Sequence, residues 1–92
     1  MATLLQEKEL SSLLKELKGW TRTDKEIQRV CEFKDFVHAM GFVNSVALLA
    51  EKMNHHPDID IRWNKVSLVL STHSAGGLTS NDFNLARAID AL

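Results

Sequence analysis

Apolar and polar positions along this chain repeat with two periods, and the switches between them mark out seven elements. Leu10, Leu13, Leu14 and Leu17 recur every three or four residues, which predicts a helix over 7–18 with Gly19 just past its end. Trp20-Thr21-Arg22-Thr23 reads as a short strand and Asp24-Lys25 as a tight turn. Residues 26–33 carry Ile27, Val30, Cys31 and Phe33 and complete a hairpin. Asp35 stands where a carboxylate caps a helix. In that helix Phe36, Met40, Val43, Ala47 and Ala50 predict the buried stripe, which Val37, Val46 and Met53 widen, and the pattern runs to Asn54.

Pro57 stops the helix, because its ring disfavours the helical conformation at the residue before it. Ile59, Ile61 and Trp63 then alternate with Asp60 and Arg62, which predicts a half-buried strand over 59–63 and a turn at Asn64-Lys65. In the next strand Val66, Leu68 and Leu70 face one way, while Ser67, Val69, Ser71 and His73 face the other. Ala75-Gly76-Gly77 breaks it. Thr79-x-x-Asp82 has the form of a capping box and opens a last helix with Phe83, Leu85, Ala86, Ile89 and Leu92 on its apolar side. The order α-β-β-α-β-β-α predicts an α+β fold: one four-stranded antiparallel sheet with three helices packed on one face. The other face, or an edge strand, is left for a partner subunit.

Composition narrows the functional classes. With 92 residues, the chain is one domain over 1–92, and its 45% apolar content suffices for a core. A net charge of -1 speaks against sequence-independent binding of nucleic acid, which needs a basic face. Cys31 stands alone, so no internal disulfide forms and a reducing compartment is expected. The N-terminus lacks a basic segment followed by an apolar one, and no apolar run approaches the ~20 residues of a membrane span. A cytoplasmic location with no membrane partner is expected.

The candidate chemistry lies at Glu51-Lys-Met-Asn-His-His-Pro57, with His73 and Asp82 further on. Imidazoles titrate near neutrality, so adjacent histidines at a helix end form a natural acid/base site. His55, His56, His73 and Asp82 have the ligand types for zinc or iron. Adjacent histidines on a helix diverge by about 100°, however, and the usual pairs are His-x-His or His-x3-His. No metal is therefore expected. Glu51 lies four residues before His55 and on a helix would share its face, either orienting the ring or forming an ordinary surface ion pair. Asp82 has two readings, a capping acid or a substrate contact. His38 stands apart from the cluster and reads as solvent-facing, Trp20 and Trp63 as packing residues, and Cys31 as a thiol without an adjacent base. Neither a Gly-rich phosphate loop nor a serine nucleophile elbow is present. Proton transfer on a small bound organic molecule remains, or a binding module.

Glu51-x3-His55-His56-Pro57-x5-Trp63-x9-His73-x8-Asp82 resembles the pattern of the pterin-4a-carbinolamine dehydratases. The likeness continues through Phe33-Lys34-Asp35-Phe36, Val46-Ala47, Asn64-Lys65-Val66, Leu70-Ser71-Thr72-His73 and Asn84-Leu85-Ala86. It implies the same α-β-β-α-β-β-α fold, dimers or tetramers, and loss of water from a 4a-hydroxytetrahydropterin to give a quinonoid dihydropterin. That reaction regenerates the cofactor of aromatic amino acid hydroxylases, so a functional link to such a hydroxylase is implied, and no cofactor beyond the pterin substrate. By the same resemblance His55, His56 and His73 are catalytic, with His56 as principal base and His55 or His73 as proton donor. Substrate contacts fall to His55-His56-Pro57 and to backbone groups of Thr72-His73-Ser74-Ala75, with Asp82 meeting the 2-amino/N3 edge and Glu51 supporting His55. Some relatives carry Cys where Ala75 stands here, so no thiol is required. Two other readings stay open: a dimerisation cofactor of a homeodomain transcription factor, which some animal members also are, and a dehydratase-like protein acting on another pterin.

Overall fold

Period-two burial in the two central strands decides which face of the sheet is covered. The computed structural model describes residues 2–92. Ile27 and Cys31 of strand β2 (Glu26–Glu32) and Val66, Leu68 and Leu70 of β4 (Lys65–Leu70) are buried on one face. Val30, 56% exposed, lies on the other. The short β1 (Thr21–Thr23) flanks β2, and β3 (Asp58–Arg62) flanks β4, so the order is β1-β2-β4-β3 with every pair antiparallel. The two hairpins thus form the one antiparallel sheet that the element order predicted, and they join through β2 and β4.

Helices α1 (Glu7–Glu16), α2 (Phe36–Met53) and α3 (Ser80–Asp90) cover the apolar face. Leu10 and the post-helical Leu17 come from the first segment, Ala39, Val46 and Ala50 from the second, and Phe83, Leu85, Ala86 and Ile89 from the third. All but Ala50 belong to one buried cluster with Ile27, Val66, Leu68 and Leu70. At the far end of α3, Asp90 accepts from Trp20 Nε1 at 2.8 Å and pairs with Arg29 at 2.5 Å, tying that helix to β2.

The stripe on α2 is rotated from the sequence expectation. The buried side runs through Ala39, Val46 and Ala50, with Phe42, Val43, Leu49 and Met53 packed around it. Phe36, Val37 and Leu48 are 50%, 75% and 73% exposed, and Ala47 is exposed too. An 18-residue helix apolar nearly all round offers periodicity two matching faces, and only contact with the sheet chooses between them.

One turn and one helix end also differ from expectation. Arg62 pairs with Lys65, so the β3–β4 reversal uses Trp63-Asn64. The first loop residue must take a positive φ, and Trp63 does so at +52° while 67% exposed. Asn64 fixes the turn, with its Nδ2 donating to Phe33 O at 2.8 Å and its carbonyl accepting from Phe33 N at 2.9 Å. At the C-terminus, α3 closes at Asp90, which leaves Leu92 beyond the helix and 59% exposed.

Asp35 caps α2 as its position foretold, accepting from His38 N at 2.9 Å and from His38 Nδ1 at 2.6 Å, while the His38 ring stays exposed. The backbone bond, then the ring bond, hold the Asp35 carboxyl below its ordinary 3.8. A lowered folded-state value stabilises the fold above the ordinary carboxylate range and ceases to do so as pH falls through it. Comparing wild type with Asp35→Asn by denaturant melts should therefore show a stability gap that closes as the pH drops from about 5 to about 2. In the core, Phe83 is 1% exposed. Phe83→Ala should cost about 3–5 kcal/mol in the same measurement, a large share of the ~5–15 kcal/mol typical of a domain.

Candidate active site

Three chain segments meet at one end of the sheet. The first is the end of α2, where Asn54 adopts the left-handed conformation at φ +50°, ψ 44°. The Asn54 N–H bonds back to Ala50 O and Glu51 O, and the His55 N–H to Ala50 O at 3.0 Å, closing the helix in the manner of a Schellman motif. This reversal sends the adjacent imidazoles to different environments. His55 turns inward, its side chain 12% exposed, and His56 stays out at 56%. Asn54 is the small polar residue that tolerates this backbone at lowest cost after glycine.

The second segment follows β4. Thr72 N–H donates to Gly77 O at 2.9 Å, and Gly76, at φ +78°, lets the chain double back between them. His73, Ser74 and Ala75 form the single 3-10 turn across the gap. The third is the start of α3, where Thr79 accepts from Asn81 N at 3.2 Å and donates its own N–H to Asp82 Oδ2 at 2.9 Å. The capping box read from the sequence is present.

Asp82 joins the three. Its side chain has no solvent exposure. Oδ1 meets His55 Nε2 at 2.6 Å, and Oδ2 accepts from Thr72 Oγ1 at 2.8 Å as well as from Thr79 N. A buried carboxylate is costly unless its oxygens are satisfied, and here both are. Asp82 is thus both the capping acid of α3 and the enclosed partner of an imidazole. Nδ1 is then the His55 nitrogen left to meet another molecule.

Glu51 takes a different partner from the one its spacing suggests. Its carboxylate pairs with His56 Nε2 rather than with His55. The i,i+4 relation assumed helix through residue 55, whereas α2 ends at Met53 and the turn at Asn54 carries His55 off that face. The expected backbone donors around Thr72–Ala75 are partly spent: Ala75 N–H bonds Thr72 O at 3.0 Å, and Thr72 N–H is held by Gly77. His73 and Ser74 are exposed, Ala75 and Pro57 half-buried. No side-chain hydrogen bond among the described residues fixes the His73 ring.

Sequence reasoning placed Thr79 at a cap but not in the site, and Thr72 only as backbone. Their hydroxyls lie 2.7 Å apart, both beside Asp82. The capping box at Thr79 was the one available signal, since nothing in sequence spacing reports that Thr72 faces it. Cys31 takes no part: it pairs with Val66 in the sheet, and burial pushes its thiol up. A concavity of about 560 Å³ on the open face of the sheet is lined by Asp58, Asp60, Arg62 and Lys65 among others, and by none of the histidines.

A family model described as "Pterin 4 alpha carbinolamine dehydratase" matches residues 3–92. The chain belongs to this family. It is 53% identical over 92 residues to a protein of Roseiflexus castenholzii named "Putative pterin-4-alpha-carbinolamine dehydratase", covering 100% of this chain and 99% of that one. A protein of the same name from Acidobacterium capsulatum is 56% identical over 88 residues, covering 96% of each. Among solved structures, a transcriptional coactivator/pterin dehydratase from Brucella melitensis superposes with a TM-score of 0.91 at 40% identity, over 95% of each chain. A pterin dehydratase-like protein identified as a RuBisCO assembly factor in the alpha-carboxysome shares the fold, with a TM-score of 0.64 at 19% identity over 78% of this chain and 83% of that one. The dehydratase fold is therefore present in full here, with three helices and one four-stranded antiparallel sheet. No helix among the described residues is long and apolar enough to cross a membrane.

The buried carboxylate generates a prediction. Asp82→Ala strands the His55 Nε2–H, the Thr72 hydroxyl and the Thr79 N–H together. Stability should fall by about 3 kcal/mol in urea melts, within the range for unsatisfied buried donors and for one half of a buried pair.

Proposed function

We propose that this protein dehydrates a 4a-hydroxytetrahydropterin to the quinonoid dihydropterin by histidine acid/base catalysis. The observation that carries the reading is the pair of adjacent imidazoles, each held by its own carboxylate, one enclosed and one open. In the reaction the C4a–O bond breaks and the hydroxyl leaves as water with a proton from the donor. A base removes the N5 proton as the C4a=N5 bond forms. Hydroxide is a poor leaving group, so donor and base must both be in reach.

His56 fits the base. It is accessible, and its bond to Glu51 leaves the other ring nitrogen for substrate. His55, through Nδ1, or His73, exposed on its turn, supplies the proton to the leaving oxygen. His55-His56-Pro57 and the Thr72–Ala75 turn flank the place where the ring would lie. The chemistry asks for no cofactor, because the pterin is itself the reactant. A cytoplasmic homo-oligomer, dimer or tetramer, serving tetrahydropterin recycling beside an aromatic amino acid hydroxylase completes the reading.

A second reading, a binding module for another protein, is favoured by one observation: Val37 and Leu48 stand 75% and 73% exposed on α2. Apolar side chains so placed suit a protein surface, whether of a second copy or of a transcription factor.

The deciding experiment follows the ultraviolet decay of 4a-hydroxytetrahydropterin, generated by a hydroxylase, with and without the chelator-treated protein. Accelerated decay is expected, reduced about 10²–10⁴-fold in His56→Ala, as for loss of one positioned base. No acceleration by folded protein would sink the dehydratase reading and leave the binding module. Full turnover in His56→Ala would remove His56 as the base.

A further inference from the structure

The hydroxyls beside Asp82 can be connected in only one direction. Each threonine hydroxyl has a single proton to give and two lone pairs to receive with, and a carboxylate can only accept. Thr72 Oγ1 lies 2.8 Å from Asp82 Oδ2 and so spends its proton there. The 2.7 Å contact between Thr72 Oγ1 and Thr79 Oγ1 must then carry the Thr79 proton toward Thr72. This fits the remaining bond, since Thr79 Oγ1 accepts from Asn81 N and keeps its own proton for donation. The chain runs Thr79 O–H to Thr72 O–H to Asp82 Oδ2, and Thr79 N–H converges on the same oxygen. Thr72, Thr79 and Asp82 are all buried, at 5%, 0% and 0% exposure, so water does not compete for these bonds.

The far oxygen of the carboxylate faces His55 Nε2 at 2.6 Å. With Oδ2 saturated by donors, Oδ1 is left to accept, and the imidazole must present Nε2 as N–H.

We propose that Thr72 and Thr79 are positioning residues of the histidine site, whose one-way hydroxyl chain fixes Asp82 so that His55 keeps its proton on Nε2 and exchanges protons with substrate only through Nδ1. The proposal deepens the dehydratase reading and rests on it for the identity of the substrate, but not for the tautomer. Neutral His55 is locked as the Nε2–H form with a lone pair at Nδ1, and when it carries two protons the one on Nδ1 is given up. A ring nitrogen presented in one state and one direction saves the reacting complex from sorting two tautomers before each turnover.

The test reads the tautomer directly. The 15N shifts and two-bond couplings of His55 in the wild-type protein, at a pH where the ring is neutral, should show Nε2 protonated and Nδ1 bare. A protonated Nδ1 in the wild type would overturn the proposal with no variant made. Thr72→Val keeps the shape and cuts the chain. It should mix the His55 tautomers and lower kcat roughly tenfold or more, part of the ~10²–10⁴-fold a positioned acid or base supplies. Thr72→Ser restores a hydroxyl and should restore both readouts. Should Thr72→Val fail to fold, Thr79→Val breaks the chain one link earlier, with Thr79→Ser as its rescue. A folded valine variant with an unchanged tautomer would overturn the positioning role. Wild-type protein that shows the expected tautomer but no dehydration would leave the hydroxyl chain standing and sink the substrate assignment alone.

Discussion

A single enclosed carboxylate sets the geometry of this molecule's functional end. Asp82 must find donors for both oxygens once it is out of water, and the donors it finds come from three separate elements. Thr79 supplies the start of α3, Thr72 the end of β4 and His55 the end of α2. The core below would permit these three chain ends to lie at various separations, because hydrophobic contact is not directional. Hydrogen bonds of 2.6–2.9 Å to one residue are directional, and they bring the ends together.

The left-handed residue at Asn54 works with that carboxylate. Were α2 continued regularly, His55 and His56 would project about 100° apart on one helical surface, both comparably wet. Closing the helix at Met53 instead divides them between interior and solvent. One imidazole then has its environment set by protein atoms and the other keeps access to water, a difference that suits the separate donor and base roles proposed for them. The two carboxylates follow the same division, Asp82 enclosed and Glu51 exposed.

The family's fold and its site are separable. The alpha-carboxysome protein shares the fold at 19% identity and is identified as a RuBisCO assembly factor. Fold therefore argues little about activity, and the histidine–carboxylate pairs must carry that argument. The concavity on the open face of the sheet belongs to the scaffold, and none of the histidines lines it.

What the sequence determined by itself was whatever short-range patterning controls. Period-two alternation in β4, the β-branched and aromatic content of β2, the caps at Asp35 and Thr79 and the helix stop ahead of Pro57 are local, and each was readable. The histidines and Asp82 were legible as site candidates too, through their spacing and the family resemblance. Partnership was not. Which side of α2 is buried depends on the sheet it meets, so Phe36 and Val37 fit the periodic stripe and are nevertheless exposed. Glu51 was assigned to His55 by helical spacing, but a single residue with positive φ moved it to His56. Thr72 and Thr79, seven residues apart, become neighbours only because the chain doubles back at Gly76. Hydrogen bonds between distant segments are decided by where the core holds those segments, and that information exists only once the chain has folded.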